Sequence, residues 1–136
     1  MSKVDFNKEI IDEIKNFISA NNNKKLKETL KDIHYADIAE LIDNLNIDEA
    51  TYLIKLLKSD TTADALAEID DEKREKILKN LSAKEIAEEI TELDTDDAVD
   101  IISELPEERK ERVISQIEDN QHIEDIRELL TYDENT

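Results

Sequence analysis

The feature of this sequence that most constrains its fold is an aliphatic residue that recurs every twelve positions from residue 33 to residue 129. A second aliphatic residue lies three positions before each of these anchors, as Leu30 lies before Ile33. The anchors are Ile33, Leu45, Leu57, Ile69, Leu81, Leu93, Leu105, Ile117 and Leu129. Self-similarity at a fixed period indicates a protein built from stacked repeats. A unit of twelve residues has room for one helix and one turn.

Each repeat unit has the periodicity of an amphipathic helix. Counting backward from the anchor, positions −3 and −4 are mostly aliphatic, and position −6 or −7 is often Ala, Ile or Val. At about 100° per residue these positions form one stripe, which is typical of a helix that buries one face. Helix starts follow the anchors, because Ser82 and Glu85 have the spacing of a capping box and Asp70 and Asp94 are good N-cap residues. Since the chain has no glycine, we expect caps to terminate the helices.

The sequence therefore predicts an all-α fold, a right-handed α-superhelix (solenoid) of short helices on a 12-residue repeat, with two units forming a 24-residue hairpin. The predicted repeat helices lie near residues 36–45, 48–57, 61–69, 71–81, 84–93, 96–105, 107–117 and 121–131. Two further helices, near residues 5–20 and 24–32, precede them. We expect a single domain in which residues 1–32 cap the superhelix and residues 33–136 form its repeat helices.

The composition excludes several classes of function. The absence of cysteine excludes disulfides and thiolate metal sites, and the absence of glycine excludes phosphate-binding loops and nucleophile elbows. The net charge of −19 argues against nucleic acid and anionic lipid as partners. With no secretory signal and no apolar run near the ~18–20 residues that span a bilayer, we expect a soluble intracellular segment. We do not expect this chain to be an enzyme. We interpret His34 as a helix-boundary residue rather than a metal ligand.

The C-terminal third of the chain carries the strongest negative charge. Residues 94–136 contain 15 acidic and 4 basic side chains. Asp96 and Asp100 lie four positions apart on a predicted helix, so they share a face, and that face is roughly opposite the buried stripe. Asp64 has the same repeat position as Asp100, three units earlier. Like charges at this spacing mildly destabilise a helix, and a bridging cation would reverse the effect.

Two interpretations of these carboxylates are open from the residues alone. In the first they are solvated side chains, partly favoured by the helix dipole. In the second they are oxygen ligands of Mg²⁺ or Ca²⁺. Mg²⁺ keeps several waters and accepts one or two protein carboxylates, so it suits an interface shared with another module. Since Asp64 and Asp100 lie on helices predicted to run in opposite senses, we do not expect them to share one ion.

Three segments match the sequence patterns of one known family. Residues 33–42, IHYADIAELI, are similar to the pattern I-H-P-A-D-I-A-E-L, with Tyr35 where the family often has proline. Residues 93–106 are similar to L-x-x-D-D-A-A-D-L-L-x-E-L-P, and residues 129–136, LLTYDENT, are similar to L-L-x-Y-x-E-x-T-A-G. In their order and spacing, from about residue 24 to the end, these segments resemble the cytosolic N-terminal domain of MgtE magnesium transporters.

The resemblance implies a regulatory, Mg²⁺-sensing domain. In that family the N domain is followed by paired CBS domains, a connecting helix and a homodimeric transmembrane channel, so we expect this chain to be a fragment ending at the junction with the CBS domains. The family's ligands align with Asp64, Asp96 and Asp100, where Mg²⁺ shared with the CBS domains and the connecting helix holds the channel closed at high magnesium. The implied location is the cytoplasmic face of the cell membrane, contacted only through the transmembrane part. Without its partner ligands the fragment is expected to bind Mg²⁺ weakly.

An alternative function is a non-catalytic α-solenoid that binds other proteins. Similar superhelices of short helices occur in the middle domain of the flagellar motor switch protein, whose surface binds protein without an ion. A solenoid that stands alone should end in a capping unit with a polar outer face. This chain ends instead in a segment that resembles an interdomain junction, which favours the regulatory domain.

Overall fold

The computed structural model describes residues 7–57, 60–118 and 120–134, and this part of the chain forms ten α-helices and no strand. The helices are α1 (Lys8–Ser19), α2 (Asn23–Thr29), α3 (Tyr35–Asp43), α4 (Ile47–Leu57), α5 (Asp60–Glu68), α6 (Asp71–Lys79), α7 (Ala83–Thr91), α8 (Thr95–Ser103), α9 (Glu107–Ser115) and α10 (Asn120–Glu134). None of these helices is both long and apolar enough to cross a membrane. The predicted all-helical fold is confirmed, whereas the handedness of the superhelix, its specific repeat and the division at residue 33 stay predictions.

The helices pack mainly on the helix two positions further along the chain. Helix α3 packs on α5, α5 on α7, and α7 on α9, so the odd-numbered helices from α3 to α9 form a continuous row. In the same way α4 packs on α6 and α8 packs on α10. Contacts of α1 with α2 and α4 attach the N-terminal helices to this arrangement.

The aliphatic stripe identified in the sequence forms the core. Leu66, Ile90 and Ile102, each three positions before an anchor, are fully buried, and the anchors between Ile33 and Ile117 are buried except for Leu57, which is partly buried. Burial of one such side chain contributes about 1.5–3 kcal/mol. The stripe therefore holds each helix against its neighbours.

The repeat helices end without a left-handed residue. At five anchors (Leu45, Leu81, Leu93, Leu105 and Ile117) the backbone amide donates to the carbonyl three residues earlier, as Leu81 N donates to Leu78 O at 3.1 Å. The preceding residue, such as Asn80, is the C-cap and stays in the right-handed helical region. In the described residues only Asn21 and Asp32 have a positive φ. These five anchors thus lie in the tightened last turn, just past the helix.

This geometry corrects several of the predicted boundaries. The sequence predicts helices that extend to residues 45, 81, 93, 105 and 117, but α3, α6, α7, α8 and α9 end two residues earlier. The second predicted helix, near 24–32, ends at Thr29, and the backbone of Asp32, three residues later, has a φ of 63°. The final helix reaches Glu134 instead of residue 131. Residues 5 and 6 of the first predicted helix lie outside the described residues.

Basic side chains close several helix ends from a distance. Lys73 Nζ donates to Leu45 O at 2.8 Å, at the turn after α3. Arg109 donates to Leu81 O at 2.6 Å and to Leu78 O at 3.0 Å, at the end of α6. Because the C-terminal carbonyls of a helix lack intrahelical partners and carry a partial negative charge, these cations stabilise both the ends and the packing.

Arg74 makes the most extensive contact of this kind. Its side chain, on α6, is 6% exposed overall and links the end of α5 to Glu104, the C-cap residue of α8. Nε and Nη2 donate to the two Glu104 carboxylate oxygens at 2.8 and 2.6 Å. Nη1 donates to backbone carbonyls of α5 and its following turn, those of Leu66, Ala67 and Ile69. The hydrogen bond to Glu104 raises the pKa of Arg74, against the opposing effect of burial.

One buried hydroxyl gives a test of the packing. Thr51 on α4 is 7% exposed, and within the described residues its Oγ1 has no hydrogen-bond partner. Because a buried hydroxyl without a partner costs desolvation free energy, we expect Thr51→Val to raise the free energy of unfolding by about 1 kcal/mol in urea denaturation. The matched control is Thr91→Val, since Thr91 Oγ1 donates to Ala87 O at 2.6 Å. A loss of stability in Thr51→Val equal to that of the control would contradict the assignment.

Candidate functional site

Helix α8 presents the acidic face that the sequence singled out. It begins after Asp94, an N-cap residue with an extended backbone whose side chain makes no capping hydrogen bond. Asp96 and Asp97 lie in the first turn, near the positive end of the helix dipole, which favours ionised carboxylates. Asp100 follows one turn after Asp96. All three of these helical aspartates are exposed.

The opposite face of α8 explains why these carboxylates point outward. Its apolar side chains Ala98, Val99, Ile101 and Ile102 are buried. This face of α8 packs on α7, α9 and α10. Helix α10 contributes the fully buried Ile126 to the same core. Because one stripe of α8 is held in the core, the aspartates are fixed on the outer surface by the helical period.

An exposed ion pair connects helix α10 to α9. Arg127 donates two hydrogen bonds, of 3.2 and 3.1 Å, to the carboxylate of Glu111 on α9. These bonds lower the pKa of Glu111 below its usual 4.5. Both side chains are exposed, so the pair contributes little to stability, but it ties α10 to α9 alongside α8.

Asp64 lies on a different helix from the other two predicted ligands. It is half-buried on α5, between the fully buried Ala63 and Ala65, and it interacts with other groups of the protein. The main contacts of α5 are with α3 and α7, whereas those of α8 are with α7, α9 and α10. The structure thus brings Asp96 and Asp100 together on one face and leaves Asp64 on a helix of another pairing.

The exposed carboxylates of α8 are oxygen donors of the kind that divalent cations such as Mg²⁺ accept. Across residues 7–57, 60–118 and 120–134, no group of three or more histidine, aspartate or glutamate side chains is arranged to hold a metal ion. Asp96 and Asp100 nevertheless supply two exposed oxygen ligands one helical turn apart. This donor set fits Mg²⁺, which accepts one or two carboxylates and keeps its remaining waters, and it needs further ligands for tight binding.

His34 lies at a helix boundary, as the sequence predicts. His34 is the N-cap residue of α3, and its Nδ1 accepts a hydrogen bond from the Ala36 amide at 3.1 Å. The interpretation of His34 as a helix-boundary residue is confirmed.

A second acidic region was missed by the sequence reasoning. Helix α7 and the end of α9 border a groove of about 360 Å³ whose lining includes Glu88, Glu89, Glu92 and Glu118. Glu89 is only 4% exposed. It occupies repeat position −4, where other units place aliphatic residues such as Ile77 and Ile101. That break in the apolar pattern was the signal that could have identified a buried carboxylate.

The fold and its surface define an all-helical domain with an acidic outer face. Residues 33–135 match the family described as the MgtE intracellular N domain. The chain belongs to this family, which confirms the resemblance seen in its sequence motifs.

The fold is also similar to a solved structure. The crystal structure of the soluble part of a magnesium transporter matches this chain with a TM-score of 0.76 and 20% sequence identity. The match covers 90% of this chain and 48% of that chain, so this chain spans about half the length of that one. No curated protein matches the chain by sequence.

The charge pattern of α8 gives a test that needs no metal. Asp100 lies three positions after Asp97 and four after Asp96, so it is repelled by both. We expect Asp100→Asn to raise the free energy of unfolding by about 0.2–0.5 kcal/mol per repelling pair, in thermal denaturation with a chelator present.

The control for this prediction is an aspartate with mixed neighbours. Asp12 on α1 is exposed and has Lys8 and Lys15 as well as Glu9 within one turn. Asp12→Asn should bring no gain in stability. An equal gain in both variants would attribute the effect to net charge rather than to the spacing on α8.

Proposed function

We propose that this chain is the Mg²⁺-sensing regulatory domain of an MgtE-type magnesium transporter, acting at the cytoplasmic face of the cell membrane. Membership of the MgtE intracellular N domain family and the fold shared with the soluble part of a magnesium transporter support this proposal. The observation that carries it is the pair of exposed carboxylates, Asp96 and Asp100, on the outer face of α8. In the proposal the helices form the right-handed superhelix on a 12-residue repeat that the sequence predicts.

The partners in this proposal are the CBS domains and the connecting helix of the same homodimeric transporter. Asp96 and Asp100 hold the ion on this side, Asp64 on α5 faces the same partners, and the remaining ligands come from the partner domains. When bound, Mg²⁺ neutralises the facing carboxylates. Without that neutralisation, the acidic surface of this domain repels acidic neighbours and the assembly loosens.

The direction of regulation follows from where the ligands lie. A ligand shifts a conformational equilibrium only by its difference in affinity between the two states. Carboxylates that meet partner ligands in the compact assembly, and face water in the loose one, provide that difference. High magnesium therefore favours the compact state, which corresponds to the closed channel.

A second candidate function is the protein-binding solenoid. It is favoured by one observation, namely that the described residues contain no assembled group of three metal-binding side chains. In that case the acidic face of α8 would bind a basic protein surface directly. The response to magnesium separates the two candidates.

The first prediction concerns this chain alone. We expect Mg²⁺ to bind with a dissociation constant of about 1 mM or weaker, because two carboxylates hold the ion without partner ligands. In amide NMR titrations the shifts should concentrate on α8, and Asp96→Asn combined with Asp100→Asn should abolish them.

The matched control uses another exposed acidic pair. Glu124 and Glu128 lie four positions apart on α10. Glu124→Gln combined with Glu128→Gln should leave the shifts on α8 unchanged. Binding in the sub-micromolar range, or equal weakening by both double variants, would reject a shared-interface site centred on Asp96 and Asp100.

The second prediction concerns the intact transporter. Mg²⁺ should protect the junction between this domain and its neighbours from limited proteolysis, because the compact state shields it. Asp64→Ala, Asp96→Ala and Asp100→Ala together should remove that protection while the helical circular dichroism of the domain stays unchanged. Full protection of the triple variant at the same magnesium concentrations would support the scaffold instead.

A further inference from the structure

The proposed function requires two helices to keep a fixed relation to each other. Its candidate ligands lie on α5 and α8, and a rigid partner can meet both helices only if their separation is constant. The main packing contacts of these two helices are with other helices, and α7 is the helix that both of them share. A direct connection between α5 and α8 would therefore matter to the whole acidic surface.

The guanidinium of Arg74 provides such a connection. On one side Nη1 donates to three carbonyls at the end of α5, the shortest being Ile69 O at 3.0 Å. On the other side Nε and Nη2 hold both oxygens of Glu104, at the end of α8, with bonds of 2.8 and 2.6 Å. Nη2 also donates to Asp71 on α6 itself. Every nitrogen of this buried guanidinium thus has an acceptor.

We propose that Arg74 is a positioning residue that fixes α5 relative to α8, so that their carboxylates form one docking surface for the partner domains. Its importance for magnesium sensing rests on the proposed function, whereas its effect on the geometry does not.

The chemistry of the side chain supports this role. Arginine presents five N–H donors in a rigid planar fork, which holds a carboxylate by two parallel bonds while its other edge binds carbonyls. Removing the arginine takes the donor away from Glu104 and from the α5 carbonyls at once, so both sides of the connection are lost together. Arg74 also occupies repeat position −7, where other units have residues such as Ile38, Ala50 and Ile86. A charged residue in a position that is otherwise apolar indicates a specific structural role for Arg74.

Arg109 provides a matched control within the same chain. It also donates two hydrogen bonds to carbonyls at a helix end, those of Leu78 and Leu81, at 3.0 and 2.6 Å. These bonds connect α9 to α6. Arg109→Met therefore removes a comparable arginine without cutting the link between α5 and α8.

The experiment measures the distance between the two helices directly. Since the chain has no cysteine, Glu68→Cys on α5 and Asp97→Cys on α8, both at exposed positions, can carry spin labels without further changes. The distance between the two labels is measured by pulsed electron–electron double resonance in the presence of a chelator. We expect one narrow distance distribution for the otherwise unchanged chain and for Arg109→Met, and a broader distribution with a displaced maximum for Arg74→Met.

Glu104→Gln keeps the proposal testable if Arg74→Met fails to fold. It weakens only the α8 side of the connection, because the bonds from Arg74 to the α5 carbonyls remain. We expect Glu104→Gln to broaden the distribution as well. An unchanged distribution in Glu104→Gln, or equal broadening in Arg109→Met, would overturn the positioning role.

A second readout connects the geometry to magnesium. In the intact transporter, Arg74→Met should raise the magnesium concentration needed for protection from proteolysis by about 3-fold or more, whereas Arg109→Met should not. If magnesium gives no protection even without a variant, the proposed function fails while the distance measurement still decides the role of Arg74. If the concentration needed is the same for both variants, Arg74 does not position the sensing surface.

Discussion

The structure depends on the burial of one aliphatic stripe per helix. Six of the repeat helices, α3 and α5 to α9, are nine residues long. Isolated helices shorter than about 12–15 residues are marginal in water, so these helices exist because they pack. Each lays its stripe mainly against the helix two positions away, so these short helices depend on their packing.

Because each helix buries only one stripe, its outer face can carry charged side chains. With 40% charged residues and a net charge of −19, the chain would be expected to unfold or stay extended if the stripe were less regular. Three of its basic side chains stabilise helix ends, because Lys73, Arg74 and Arg109 donate hydrogen bonds to carbonyls there. Helix α8 itself carries no basic side chain, so the charge of its acidic outer face is not balanced within the helix.

Two charged side chains occupy positions where the repeat places apolar residues. Arg74 holds the ends of α5 and α8 in one hydrogen-bonded network, and Glu89 lines the groove between α7 and the end of α9. Local departures from a regular pattern are expected where a protein meets a specific structural or functional demand. In rows of helices with similar sequences, such departures distinguish one pair of helices from the next.

The number, order and buried face of the helices could be predicted from the residues alone. An aliphatic stripe at positions 0, −3 and −4 lies on one face of a helix, and anchors such as Leu81 repeat that stripe along the chain. It also placed Asp96 and Asp100 on one exposed face, since a spacing of four is one helical turn. Where the helices end and which of them pack together became clear only in the folded molecule. Five of the anchors lie in tightened turns past the helix ends, and Arg74 reaches Glu104 thirty residues away. A local period carries no information on contacts between units, because those depend on how the rows of helices pack.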